Sequence, residues 1–172
     1  DAVIVAAGGV AATLLWIPTV MLSSEIPLAG PLVPCDADCP LIALLIADHN
    51  RVRGLFSRFK DAQEADDAGT MAGLAEQIAR ELEVHTRIEE EIFYPEVRKG
   101  SDELEETVAE GIEEHHVVDV LLDEVQDLTP GDEAWVAKLT VVIENVEHHA
   151  GEEEGELFPA VRSTFGTDDL TD

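Results

Sequence analysis

Two histidine–glutamate pairs share one spacing. His85 precedes Glu89 in "VHTRIEEEIFYPEVR" (84–98), and His149 precedes Glu153 in "HHAGEEEGELFPAVR" (148–162). On an α-helix, residues i and i+4 lie on one face, so each pair can address a single point. The two stretches superpose without a gap at an offset of 64 residues: Glu90 falls on Glu154, Pro95 on Pro159, and Val97-Arg98 on Val161-Arg162. Such a repeat predicts two copies of one helical element.

The preceding segments repeat as well. "DHNRVRGLF" (48–56) lies over "EHHVVDVLL" (114–122) at an offset of 66, each with an acid before a histidine. Apolar residues at three- and four-residue intervals put His49 on a stripe with Ile42, Leu45, Val52 and Phe56. They put His115 with Ile112, Val118 and Leu122. His85 follows Ile78 and Leu82, and His149 follows Val142 and Val146, on two further stripes. Four histidines and two glutamates are thereby directed into one core. Buried, unpaired carboxylates cost several kcal/mol, so the cluster calls for a cation. Imidazole with carboxylate suits iron, with manganese and zinc as rivals. Two metals bridged by two carboxylates are the simplest arrangement. His116 and His148 are rotated about 100° from their neighbours and read as flanking residues. The repeat register selects His115 over His116. The other glutamates of the "EEE" runs read as solvated faces.

The elements follow from the same periodicity. Pro40 takes the first position of a first helix, after Asp38 or Cys39. "DAQEADDAGT" (61–70) is a polar break. A second helix carries Met71, Leu74, Ile78, Leu82, Ile88 and Ile92 inward and stops near Lys99-Gly100. Ser101 opens a third, with Ile112, Val118, Leu122 and Val125 inward. In "LTPGDEAW" (128–135) Thr129 caps a fourth and Pro130 starts it. Its inward residues are Val136, Leu139, Val142, Ile143 and Val146. Pro95 and Pro159 are expected to kink their helices or mark where they thin out. The fold class is all-α: an up-down-up-down four-helix bundle over residues 41–165 with internal two-fold repeat, followed by an acidic tail at 166–172.

"DHNRVRGLF", "HTRIEEEIFYP", "EHHVVDVLL" and "HHAGEEEGELFP" together resemble the hemerythrin-like HHE cation-binding family. The resemblance covers about Leu41 to Phe165. It implies a four-helix bundle around a non-haem di-iron centre with an oxo or hydroxo bridge. His49, His85, His115 and His149 would be terminal ligands, and Glu89 and Glu153 would bridge. Oxygen-carrying hemerythrins have a fifth histidine on the third helix. Here Asp119 stands four residues after His115 and Val120 four after His116, so the set is similar to that of the more symmetric bacterial-type relatives. The implied ligands are oxygen, peroxide or nitric oxide, in a binding or sensing role that includes iron itself. Two other readings stand beside this one: an accessory subunit of a membrane complex with a structural metal site, and a catalase-like enzyme.

Charge and the N-terminal segment frame these readings. Ten Lys and Arg against 38 Asp and Glu give a formal charge of −28, which argues against nucleic acid as a partner. Ala2 to Leu22 contains no ionisable residue, and a helix of that length spans roughly 30 Å. Residues 1–22 therefore read as a single transmembrane helix, outside the family pattern. Gly8, Gly9 and Ala12 give it a face suited to other membrane subunits. A proline-rich linker follows (23–40), containing Cys35 and Cys39. The acidic residues Glu25, Asp36 and Asp38 favour a non-cytoplasmic bundle, where the two cysteines could pair.

Overall fold

The structure, a computed structural model, describes residues 40–165. The N-terminal apolar run and the linker with its cysteines lie outside the described residues, as does the acidic tail. Pro40 does open α1 (Pro40–Glu64). A connection of only three residues leads to α2 (Ala68–Ile88). It is shorter than the polar composition of 61–70 suggests, because Asp66 takes a left-handed turn at φ 53°. Asp67 then accepts the N–H of Thr70 as the cap of α2.

α2 continues through a π-helical turn (Glu89–Phe93) into α3 (Tyr94–Gly100). After Ser101, a 3₁₀ turn (Asp102–Leu104) leads into α4 (Glu105–Gln126), so the third bundle helix begins a few residues later than Ser101. α5 (Glu133–Glu152) passes through a second π turn (Glu153–Leu157) into α6 (Phe158–Phe165). α5 starts after Asp132 rather than Thr129. Gly131 at φ 91° lies outside helical space, and Thr129 accepts the N–H of Asp132 in a turn. No strand occurs among the described residues. α1 packs along α2, and α4 along α5, giving the four-helix bundle that the periodicity predicts.

Both π turns begin at the glutamate of a His-x-x-x-Glu pair. Tyr94 N–H donates to the carbonyl of Glu89, and Phe158 N–H to that of Glu153, five residues back rather than four. The prolines explain the location. Pro95 and Pro159 cannot donate to Glu91 and Gly155, and their rings would press on those carbonyls in a regular helix. The widened turn accommodates both problems, and the helices run on instead of ending. It also shifts the inward register by one residue. Ile92, which a straight helix would bury, is 46% exposed, while Phe93 and Tyr94 are buried in its place.

The core is built in two apolar blocks. One, towards the α1–α2 and α4–α5 connections, contains Phe56, Phe59, Leu74, Ile78, Trp135, Leu139 and Ile143. The other contains Ile42, Leu45, Phe93, Tyr94, Val108, Phe158 and Val161. Along every bundle helix the histidines and glutamates fall between these blocks. Removal of buried volume from the first block is expected to be costly: Leu139→Ala should lower stability by roughly 2–5 kcal/mol. The exposed neighbour change Val141→Ala should stay within about 0.5 kcal/mol. Urea unfolding of the metal-free chain, followed by helical circular dichroism, measures both.

Candidate metal centre

Six ionisable side chains form the layer between the apolar blocks. His49 comes from α1, His85 from α2, His115 from α4 and His149 from α5. Glu89 and Glu153 are the first residues of the two π turns. All six are buried, Glu89 completely. His116 and His148 are exposed, so the structure places His115 inside and its neighbour out.

The histidines meet in pairs through their Nε2 atoms. His49 and His85 approach to 3.0 Å, and His115 and His149 to 3.1 Å. Glu89 lies between the pairs: Oε1 is 3.2 Å from His85 Nε2, and Oε2 is 3.2 Å from His115 Nε2. Glu153 Oε2 faces both pairs as well, 3.3 Å from His49 Nε2 and 3.6 Å from His149 Nε2. Ligand atoms of His49, His85, Glu89 and Glu153 could converge on one ion, and those of Glu89, His115 and His149 on another. Glu89 belongs to both groups.

A second ring of carboxylates turns the imidazoles. The Nδ1 of His49 donates to Glu154 at 2.8 Å, and that of His115 to Glu90 at 2.9 Å. The Nδ1 of His149 donates to Glu114 at 2.8 Å. Glu154 is in turn held by Arg53 at 2.7 Å. Each of these bonds fixes a proton on Nδ1 and leaves the Nε2 lone pair pointing inward. For His115 and His149 this brings two lone pairs to 3.1 Å. That contact is unfavourable unless a proton or a metal ion lies between them. Nitrogen ligands at about 2.1 Å on adjacent corners of an octahedron are about 3.0 Å apart. Both pairs therefore have the spacing of neighbouring ligands on one ion.

Three carboxylate oxygens make the same demand. Glu89 Oε1 and Oε2 and Glu153 Oε2 are buried without a hydrogen-bond partner. Buried acceptors left this way are rare in proteins, and a cation among them satisfies all three. Burial raises the pKa of Glu153, whereas at Glu89 the effect of burial is outweighed by His115 and His149, which hold its pKa low. At His149 burial is outweighed by Glu114 and Glu89, and the pKa is raised to about 10. His85 is driven by burial down to about 4. In the metal-free protein a proton on His149 thus relieves the contact with His115.

Several residues of the site escaped the sequence reading. Glu90 and Glu154 do not serve only as solvated faces: they reach around their helices to the Nδ1 atoms, and their match in the repeat was the available signal. Glu114 and Tyr94 were missed as well. Tyr94 is buried, donates its hydroxyl to Glu153 Oε1 at 3.0 Å and stacks on His115. Its repeat partner is Phe158, which stacks on His49 and has no hydroxyl. Gly111 leaves the room that Tyr94 needs: a Cβ there would lie 2.9 Å from the Tyr94 hydroxyl and 3.3 Å from His149 Cε1. Gly111→Ala is therefore expected to destabilise the protein by about 1 kcal/mol through overpacking. Gly151→Ala, with nothing within 4 Å of the new methyl, should stabilise by about 0.5–1 kcal/mol through helix propensity. Urea midpoints of the metal-free variants compare the two.

A DNA nickase of Nostoc sp. (strain PCC 7120 / SAG 25.82 / UTEX 2576) is 28% identical over 123 residues, covering 70% of this chain. The chain spans only 33% of that relative's length. No solved structure is a significant match. The family described as "Hemerythrin HHE cation binding domain" matches residues 41–161, the whole bundle up to Val161 of α6. The chain belongs to the hemerythrin HHE cation-binding family.

Proposed function

We propose that His49, His85, His115, His149, Glu89 and Glu153 would hold two iron ions, and that the protein binds or senses a small ligand there. The observation that carries this reading is the group of three partnerless carboxylate oxygens facing four imidazole Nε2 atoms. When bound, a pair of irons supplies positions for oxygen, peroxide or nitric oxide and the capacity for one-electron redox change. The protein's own residues set the orientation and the access. Glu154, Glu90 and Glu114 hold three imidazoles in the tautomer that points Nε2 inward. Tyr94 fixes one oxygen of Glu153 and leaves the other to the centre. A cavity of about 10 Å³ adjoins His85, His115 and His149, with Leu82, Val118 and Val146 in its wall. That is room for roughly one water-sized molecule.

Anaerobic iron loading is expected to give two irons per chain and an optical band in air that changes with azide. One metal or none would contradict the proposal. A loaded protein inert to air, azide and peroxide would favour the structural-subunit reading, and gas evolution from peroxide the catalase-like one. Manganese or zinc retained in preference to iron would change the metal but not the ligands. Glu89→Ala or Glu153→Ala should abolish loading of at least one ion. Glu90→Ala and Glu154→Ala should weaken it by about 10–100-fold, as loss of a partner to a ligating histidine typically does. The chain corresponds to only 33% of the Nostoc relative's length, so the activity of that whole protein is not carried over.

The apolar run from Ala2 to Leu22 adds a proposed single-pass anchor, with the bundle on the non-cytoplasmic side. Among the described residues, no helix is long and apolar enough to cross a membrane. The anchor therefore predicts that the full chain sediments with membranes and resists salt extraction, while a chain starting at Pro40 does not sediment. Release of the full chain by salt alone would contradict it.

A further inference from the structure

The internal repeat breaks at one ligand. His149 is backed by Glu114, the residue before His115. By the repeat, His85 corresponds to His149, and its backing acid would be Asp48, the residue before His49. Asp48 is one methylene shorter than Glu114. It is buried and committed elsewhere: Arg51 donates to its Oδ1 at 2.6 Å while also reaching Glu81 at 3.2 Å. His85 Nδ1 is left buried with no partner. Three of the four histidines thus have a carboxylate on Nδ1, and His85 does not.

The consequence lies in where the His85 proton sits. With no acceptor at Nδ1, the 3.0 Å contact between His49 and His85 can be a hydrogen bond, His85 Nε2–H donating to His49 Nε2. A metal ion at this pair has to displace that proton from Nε2 to Nδ1, where nothing accepts it. At the other pair Glu90 and Glu114 already hold a proton on each Nδ1, so the proton shared between the two Nε2 atoms can leave to a metal ion without any change of tautomer.

We propose that the two halves of the centre are unequal by design of these side chains: the His115–His149 half binds its ion first and more tightly, with Glu114 as its positioning residue. The His49–His85 half is the weaker and more readily emptied one because Asp48 does not back His85. This rests on the di-metal reading above. Loss of such a backing carboxylate typically lowers affinity by about 10–100-fold, and that is the separation expected between the two steps.

The test is an anaerobic titration of the metal-free full chain with iron(II) against a competing chelator, repeated with cobalt(II) for its optical signal. The readout is the ratio of the two dissociation constants. Reciprocal exchanges separate the cause from simple repulsion between neighbouring ions. Glu114→Asp should weaken the tighter step and shrink the ratio. Asp48→Glu together with Arg51→Ala, which frees the new carboxylate, should tighten the weaker step and shrink it too. Thermal unfolding of each metal-free variant establishes that folding is retained. A single indistinguishable step in the unaltered chain, or a ratio unchanged by either exchange, would overturn the inference. No metal bound at all would instead remove the di-metal reading beneath it.

Discussion

Six ionisable side chains buried in one layer are the constraint on which the bundle depends. Two carboxylates and four imidazoles occupy the cross-section where a bundle of this length would otherwise place leucine and valine. Carboxylates there carry a large desolvation penalty, and the partial shielding by Tyr94 covers one oxygen of four. The apolar blocks on either side hold the ligands in place, while the ligands leave that cross-section without apolar packing. Cations held there would convert this liability into cross-links between the bundle helices, and folding and metal binding would then be thermodynamically linked.

The π turns are the local means by which the sequence meets that constraint. Each starts at a central glutamate and precedes a proline by one turn, and the extra residue brings a pair of large side chains inward behind the carboxylate. In the first copy the pair is Phe93 and Tyr94, and in the second Leu157 and Phe158. The repeat therefore supplies a symmetric scaffold, and differences at matched positions individualise it. Tyr94 against Phe158 distinguishes the two glutamates. Glu114 against Asp48 distinguishes the two histidine pairs.

Much of this was legible in the sequence. The four amphipathic stripes and the unbroken offset between the two His-x-x-x-Glu stretches suffice to orient all six central residues, because a helical period leaves little freedom over a few turns. Ile92 shows where that reasoning stops. Its period assigns it to the core, and only a change of backbone hydrogen bonding, which has no simple sequence period, moves it out. Glu90, Glu154 and Glu114 were hidden for a different reason. Each sits off the inward stripe, and its role depends on a long side chain reaching a neighbouring helix. The short break between α1 and α2 was obscured because the left-handed conformation of Asp66 compresses what composition spreads over ten residues.

The central claim is that the buried layer is a two-ion centre shared by all four bundle helices. A crystal of the iron-loaded protein, with anomalous diffraction collected at the iron edge, tests it most directly. The account predicts two anomalous peaks, one beside His49 and His85 and one beside His115 and His149, with Glu89 between them. A single peak in that layer, or iron found only at exposed residues such as His148 and Glu152, would contradict it.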